Sequence, residues 1–186
     1  MLQVRIHGRG GQGVVSGAEM LSVAAFLEGK HAQAVPSFGS ERMGAPVVAF
    51  CRIDDREIRL REPVLDPDIL VVQDPTLFSA IDVFAGLSPE GYVLINTSRT
   101  IEELGIAKAV EALLPGRVCN VPATDLALKF VRRPVPNAAL LGALVAVTGI
   151  IKLDAVIGAI DTKFAGELSK ANIAAAKAAY EMVQSR

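Results

Sequence analysis

The stretch Gln3-Val4-Arg5-Ile6-His7-Gly8-Arg9-Gly10-Gly11-Gln12-Gly13-Val14 decides the architecture. Gln3–His7 reads as a short strand, Gly8–Gly13 as a glycine-rich loop, and Val14–Glu28 as a helix with Val14, Ala18, Leu21 and Ala25 at helical spacing. Gly29 stands where a helix-stopping glycine belongs. Gly8, Gly10 and Gly13 match G-x-G-x-x-G between a strand and a helix. In that context glycines let the backbone turn tightly and approach a ligand, and the helix N-terminus attracts an anion. Three readings of the loop stand open: a dinucleotide site, an anion or backbone contact, and a tight turn that packs the first helix on a sheet. The dinucleotide reading needs a carboxylate at the end of the second strand to hold a ribose. That strand, His31–Val35, ends on Val35 and Pro36, and Glu28 lies before it. No Gly-Lys-Ser/Thr follows the loop, so it is not a P-loop.

Working outward, a turn-rich segment Ser37–Pro46 leads to Val47–Ile53, an acidic Asp54-Asp55 turn and the alternating Glu57–Arg61, which together predict an antiparallel hairpin. Ile69–Val72, Tyr92–Ile95 and Arg117–Val121 are continuously apolar and are separated by helical patterns, the mark of a parallel sheet covered on both faces. Polar residues follow each: Gln73-Asp74, Asn96-Thr97-Ser98 and Thr124-Asp125. Ligands in open α/β sheets lie outside the carboxyl ends of the strands, so these side chains are expected to converge. The C-terminal part is helical, over Asp125–Val131, Asn137–Ile151, Leu153–Ile160 and Leu168–Gln184. The third-from-last of these is apolar all round, which demands burial in a core or a partner. The expectation is an α/β fold over residues 1–186 as one domain, with a mostly parallel sheet, an antiparallel hairpin and a helical C-terminal part.

Composition narrows the function. With 186 residues, 51% of them apolar, one core is easily built. Nineteen basic against 20 acidic residues give no electrostatic footprint for nucleic acid, and the absence of Trp leaves no stacking platform. Cys51 and Cys119 form no CxxC pair, and two thiols fall short of the four that an iron–sulfur cluster takes. No signal-peptide pattern opens the chain, and the longest apolar run, Ala138–Ile151, is shorter than the roughly 18 residues of a membrane span, so a cytoplasmic setting is expected.

The segment Ser37-Phe38-Gly39-Ser40-Glu41-Arg42-Met43-Gly44-Ala45-Pro46 is the second candidate for binding. Arg42 can clamp a carboxylate or phosphate in bidentate fashion, or pair with Glu41. His7 and His31 have no neighbouring ligands in sequence and read as structural, and Arg132-Arg133 reads as a solvated corner. No Ser stands in G-x-S-x-G and neither Cys has an evident His partner. The lack of a self-sufficient catalytic set points to a subunit rather than a complete enzyme, with a free-standing nucleotide-binding domain and a purely structural docking subunit as the competing readings.

Ile6–Gly13, Ser37–Pro46, Cys51-Arg52-Ile53-Asp54, Val71-Val72-Gln73-Asp74-Pro75-Thr76 and Asn137-Ala138-Ala139-Leu140-Leu141-Gly142 resemble the gamma subunit of pyruvate:ferredoxin oxidoreductase and related 2-oxoacid oxidoreductases, over nearly the whole chain. The resemblance implies a Rossmann-like three-layer domain. It implies a place in a complex that converts a 2-oxoacid and coenzyme A to acyl-CoA and carbon dioxide and passes electrons to ferredoxin or another acceptor. In that family thiamine diphosphate and Mg²⁺ are held between alpha and beta subunits, and iron–sulfur (4Fe-4S) clusters sit in beta and delta subunits. The gamma chain itself is expected to hold none of them. Its loops, Gly8, Arg9, Gly10, Gly11, Gln12 and Gly13 with Ser37, Gly39, Ser40, Glu41 and Arg42, are expected to lie near coenzyme A or at a subunit interface. Pyruvate is the expected substrate, with 2-oxoglutarate, branched-chain and aryl 2-oxoacids such as phenylglyoxylate as alternatives.

Overall fold

The computed structural model describes residues 1–36 and 43–186. The sequence-derived candidates Ser37, Gly39, Ser40, Glu41 and Arg42 lie outside the described residues. The chain runs β1 (Leu2–Arg9), α1 (Val14–Leu27), β2 (His31–Pro36), β3 (Pro46–Asp54), β4 (Ile69–Val72), a 3-10 turn (Pro75–Ser79), β5 (Tyr92–Asn96), α2 (Ile101–Leu104), α3 (Ala107–Val110), β6 (Val118–Val121), α4 (Ala123–Phe130), α5 (Asn137–Thr148), α6 (Leu153–Lys163) and α7 (Gly166–Gln184). The six strands form one sheet in the order β2-β3-β1-β4-β5-β6. The β1–β4, β4–β5 and β5–β6 pairs are parallel, while β2–β3 and β3–β1 are antiparallel.

This corrects one sequence expectation. The hairpin is made by β2 and β3, not by β3 and Glu57–Arg61, which forms no strand. β3 is already hydrogen-bonded along both edges, to β2 and to β1, so no free edge remains for a third partner. The alternation in Glu57–Arg61 has a local cause: Arg59 bonds the Glu57 carboxylate two residues away, and Leu60 stays 42% exposed.

Alternation along the strands sorts side chains to two cores. Val4 and Ile6 of β1, Cys51 and Ile53 of β3, Ile69 and Val71 of β4 and Leu94 of β5 face the layer of α1, α4, α5, α6 and α7. Leu70 and Val72 of β4 and Val93 and Ile95 of β5 face a thinner layer built from the 3-10 turn, α2 and α3, with Leu77, Val83 and Ile106. The result is the expected three layers. α5 is buried along Asn137–Val145. A helix that is apolar all round can be placed only where sheet and helices enclose it.

The second face of β1 and β3 is polar yet buried. Arg52, 1% exposed, donates to the Gln3 Oε1 and the Glu62 carbonyl. Arg5 donates to the carbonyls of Leu65, Val83 and Ala85. These two guanidiniums fasten the irregular chain between β3 and β5 over a sheet face that its own side chains leave uncovered.

Candidate functional site

The glycine loop is shaped by what each added side chain would strike. A Cβ on Gly8 would lie 2.6 Å from the Val14 side chain, and one on Gly13 would lie 2.6 Å from the Asn137 side-chain nitrogen. Gly11 and Gly13 adopt φ of +93° and +75°, backbone that favours glycine. Gly10 donates to the Ala45 carbonyl at 2.9 Å and accepts from the Gly44 amide at 3.1 Å. One strap of residues 43–45 thus holds the loop's outer edge.

Its inner edge is held by β4. The Asp74 carboxylate accepts from Gln12 Nε2 at 2.9 Å, from the Thr76 amide at 3.0 Å and from the Thr76 hydroxyl at 2.6 Å, and it pairs with Arg9 Nε at 3.2 Å. Gln12 Oε1 in turn accepts from the Arg9 amide at 2.8 Å. The Arg9 guanidinium also donates to the Thr76 hydroxyl and to the Gly44 carbonyl. Partial burial works against the charge on Asp74, but the hydrogen bonds from Thr76 and Gln12 and the charge of Arg9 outweigh it and hold its carboxyl below the usual range. The carboxyl ends of β1 and β4, where chain order reverses and a doubly wound sheet takes a pyrophosphate, are therefore bridged by Gln12 and a charged Asp74. Among the described residues no carboxylate directly follows β2, which ends on Val35 and Pro36, and the Gln12–Asp74 bond spans the place where the dinucleotide reading needs a pyrophosphate.

Two cavities flank this bridge. A groove of about 580 Å³ opens before the N-terminus of α1, lined by Gly10, Gly11 and Gly13. Val131, Val135, Phe164 and Leu168 form an apolar wall, and among the described residues Arg9 and Arg133 are the only ionisable ones in the lining. The first amides of α1 lack partners within the helix. Among the described residues no carboxylate lines the groove, so its chemistry suits an anion with an apolar arm. A second cavity of about 320 Å³ is polar and gathers Gln73, Asp74, Asn96, Thr97, Ser98, Thr124 and Asp125. The convergence expected of the strand ends is realised there. Asn96 fixes it, donating to the Gln73 carbonyl and the Thr124 hydroxyl and accepting from the Thr124 amide.

The two cysteines of the chain fall short of the four thiolates of an iron–sulfur cluster and do not come together. Cys51 on β3 and Cys119 on β6 are buried at well-separated strands, and burial pushes the Cys51 thiol up to about 12 and the Cys119 thiol up as well. Among the described residues no three His, Cys, Asp or Glu gather as a metal site, and no helix is long and apolar enough to cross a membrane.

Residues 3–182 match the family described as pyruvate ferredoxin/flavodoxin oxidoreductase. The chain belongs to this family. Over 184 residues it is 47% identical to the pyruvate/ketoisovalerate oxidoreductases common subunit gamma of Pyrococcus furiosus, covering 99% of this chain and 98% of that one. It is 43% identical over 184 residues to pyruvate synthase subunit PorC of Methanothermobacter marburgensis, with 99% and 98% covered. The crystal structure of pyruvate oxidoreductase subunit PORC from Thermotoga maritima matches with a TM-score of 0.83 and 42% identity, over 97% of this chain and 95% of that one. Within the pyruvate oxidoreductase family this is a gamma-type chain, an accessory rather than a self-contained enzyme.

For this gamma-type chain the structure brings Gly8–Gly13 together with residues that sequence reading set aside. Arg133, read as a solvated corner, lines the groove, and its neighbour Arg132 has a φ of +63°, rare for a side chain of that size. Val135, Asn137, Phe164, Leu168 and Asn172 also reach the groove from more than a hundred residues downstream. Spacing carries no signal for such contacts; only the Asn137–Gly142 segment was singled out in sequence.

Proposed function

We propose that this chain is the gamma subunit of a 2-oxoacid:ferredoxin oxidoreductase complex, with pyruvate as substrate, and that the groove beside Gly8–Gly13 lines the coenzyme A entrance. The observation that carries the reading is the groove itself: an α1 N-terminus, two arginines and an apolar wall, with no carboxylate among the described lining residues, a set that suits the phosphates and the pantetheine arm of coenzyme A. The names of the full-length relatives support the complex and the substrate class. In this reading the chain works in the cytoplasm beside alpha, beta and delta subunits. Thiamine diphosphate, Mg²⁺ and the 4Fe-4S clusters belong to those partners, and ferredoxin or another acceptor takes the electrons. The thiamine group supplies the decarboxylation. This chain's own groups bind and orient the second substrate: Arg9 and Arg133 attract its phosphates, and Gly10, Gly11 and Gly13 let it approach the backbone. Gly8 and Gln12 belong to the same rim, and Ser37, Gly39, Ser40, Glu41 and Arg42 are proposed, from their sequence alone, to contact coenzyme A or the alpha and beta subunits.

Anaerobic isolation of the tagged chain from its host, followed by native mass spectrometry and 2-oxoacid- and CoA-dependent dye reduction, tests the complex and names the 2-oxoacid. Arg133→Ala and Arg42→Ala in the purified complex are expected to raise the apparent KM for coenzyme A about tenfold, the loss of one charge-assisted bond, with thiamine content intact. An unchanged KM discards the coenzyme A role, and loss of assembly shows the rim to be a subunit contact instead.

A further inference from the structure

We infer that Asp74 is the positioning residue of the glycine loop, setting from the turn after β4 the shape of a loop that would contact coenzyme A. The inference rests on the coenzyme A reading of the groove. The two side chains of the loop, Arg9 and Gln12, are held from outside their own segment. Asp74 Oδ2 receives Gln12 Nε2 and Arg9 Nε, and Asp74 Oδ1 receives the amide and hydroxyl of Thr76, whose oxygen then receives Arg9 Nε and Nη2. One carboxylate therefore ties three residues of two separate loops into a closed ring. The ring fixes both the third residue of the bridge, Gln12, and the arginine at its start, while Gly10, Gly11 and Gly13 lie between or beside them. Glycines with φ of +93° and +75° have no side chains to restrain them, so their conformation is decided by the groups on either side.

The ring also decides which way the loop is open. The Asp74 charge and the Gln12 amide occupy the β1–β4 crevice, so a phosphate is repelled there and the loop amides and the α1 N-terminus serve only the groove lined by Arg133. Asp74 does not line that groove. Its effect on a ligand there is exerted through Gln12 and Arg9, and it touches no substrate.

The test uses the assembled complex carrying Asp74→Ala, Thr76→Val or Gly11→Ala. Asp74→Ala is expected to raise the apparent KM for coenzyme A about tenfold, and Thr76→Val by less, with kcat at saturating coenzyme A and the KM for the 2-oxoacid unchanged. Adding Gln12→Ala to Asp74→Ala is expected to bring little further loss, because both remove the same bond. A second readout needs no turnover: coenzyme A is expected to slow amide exchange over residues 10–16 in the parent complex, and Asp74→Ala is expected to abolish that slowing. Thr76 is solvent-exposed at its hydrogen bonds, so its variant folds even if Asp74→Ala does not. If Gly11→Ala raises the KM while Asp74→Ala and Thr76→Val leave both the KM and the exchange pattern unchanged, the positioning role is overturned and the coenzyme A reading survives. If all three leave them unchanged in an intact complex, the coenzyme A reading falls and the inference with it. A fall in kcat together with a rise in both KM values and a loss of assembly would show Asp74 to be merely structural.

Discussion

His7 sits one residue before the glycine loop, 6% exposed, with both ring nitrogens lacking partners among the described residues. Burial, reinforced by the nearby Arg5 charge, pulls its pKa down to about 4. An unfolded histidine titrates near pH ~6.5, so between those values the unfolded chain takes up a proton that the folded chain refuses. Stability is therefore unaffected above the unfolded value and falls as pH drops through the window toward 4. The full effect is on the order of 3 kcal/mol. In denaturant titrations the parent should lose stability between about pH 7.5 and pH 5, and His7→Leu should lose distinctly less. Equal losses would show that the folded histidine is hydrated and titrates normally. Arg5 and Arg52 nearby show the same principle in another form: a buried cation is tolerated where carbonyls surround it.

Among the elements, α5 and α7 make the tightest approach. A Cβ on Gly142 would lie 2.0 Å from the Ala176 carbonyl oxygen, and that oxygen is backbone that cannot rotate away. Gly142→Ala gains about 1 kcal/mol of helix propensity. Overpacking costs about 1–3 kcal/mol and the immovable neighbour places this site at the upper end. The expected outcome is a net loss and a melting temperature lower by a few degrees, read by calorimetry. A rise would mean that the two helices separate without cost. Elements were legible in sequence where a single rule governed them. β4 is legible to the residue in its apolar run, and so is the start of α5 at Asn137, but the apolar run carries the expected helix on to Ile151 whereas it stops at Gly149, where φ is +64°. The Glu57–Arg61 segment was misread because alternation reports only that two faces differ. It does not report whether an edge is free, and both edges of β3 were taken.

For the whole molecule, the surface at the glycine loop is unusual. Met43 is 87% exposed directly over Gly11, and Leu168, in the lining of the same groove, is 40% exposed. Large apolar side chains held in water beside a binding groove suit a surface that a partner covers. Met43→Glu is expected to leave the fold intact, since the side chain contributes little to the core, and to lower the yield of assembled complex in co-purification. Full recovery of the complex would place the partner contact elsewhere.

The chain by itself determined the strand–glycine loop–helix opening, the parallel half of the sheet, the burial of α5 and the convergence of polar residues at the strand ends. These depend on neighbours in sequence, on periodicity and on which residues tolerate water, and each leaves a local trace. Only the tertiary structure decided that β3 lies between β2 and β1, that Asp74 closes the β1–β4 crevice on Gln12 and Arg9, and that Arg133, Phe164 and Leu168 stand across from Gly11. The last two are meetings of segments roughly 60 to 160 residues apart, and no local pattern encodes them. They follow from the one arrangement of helices on the sheet that buries both cores at once.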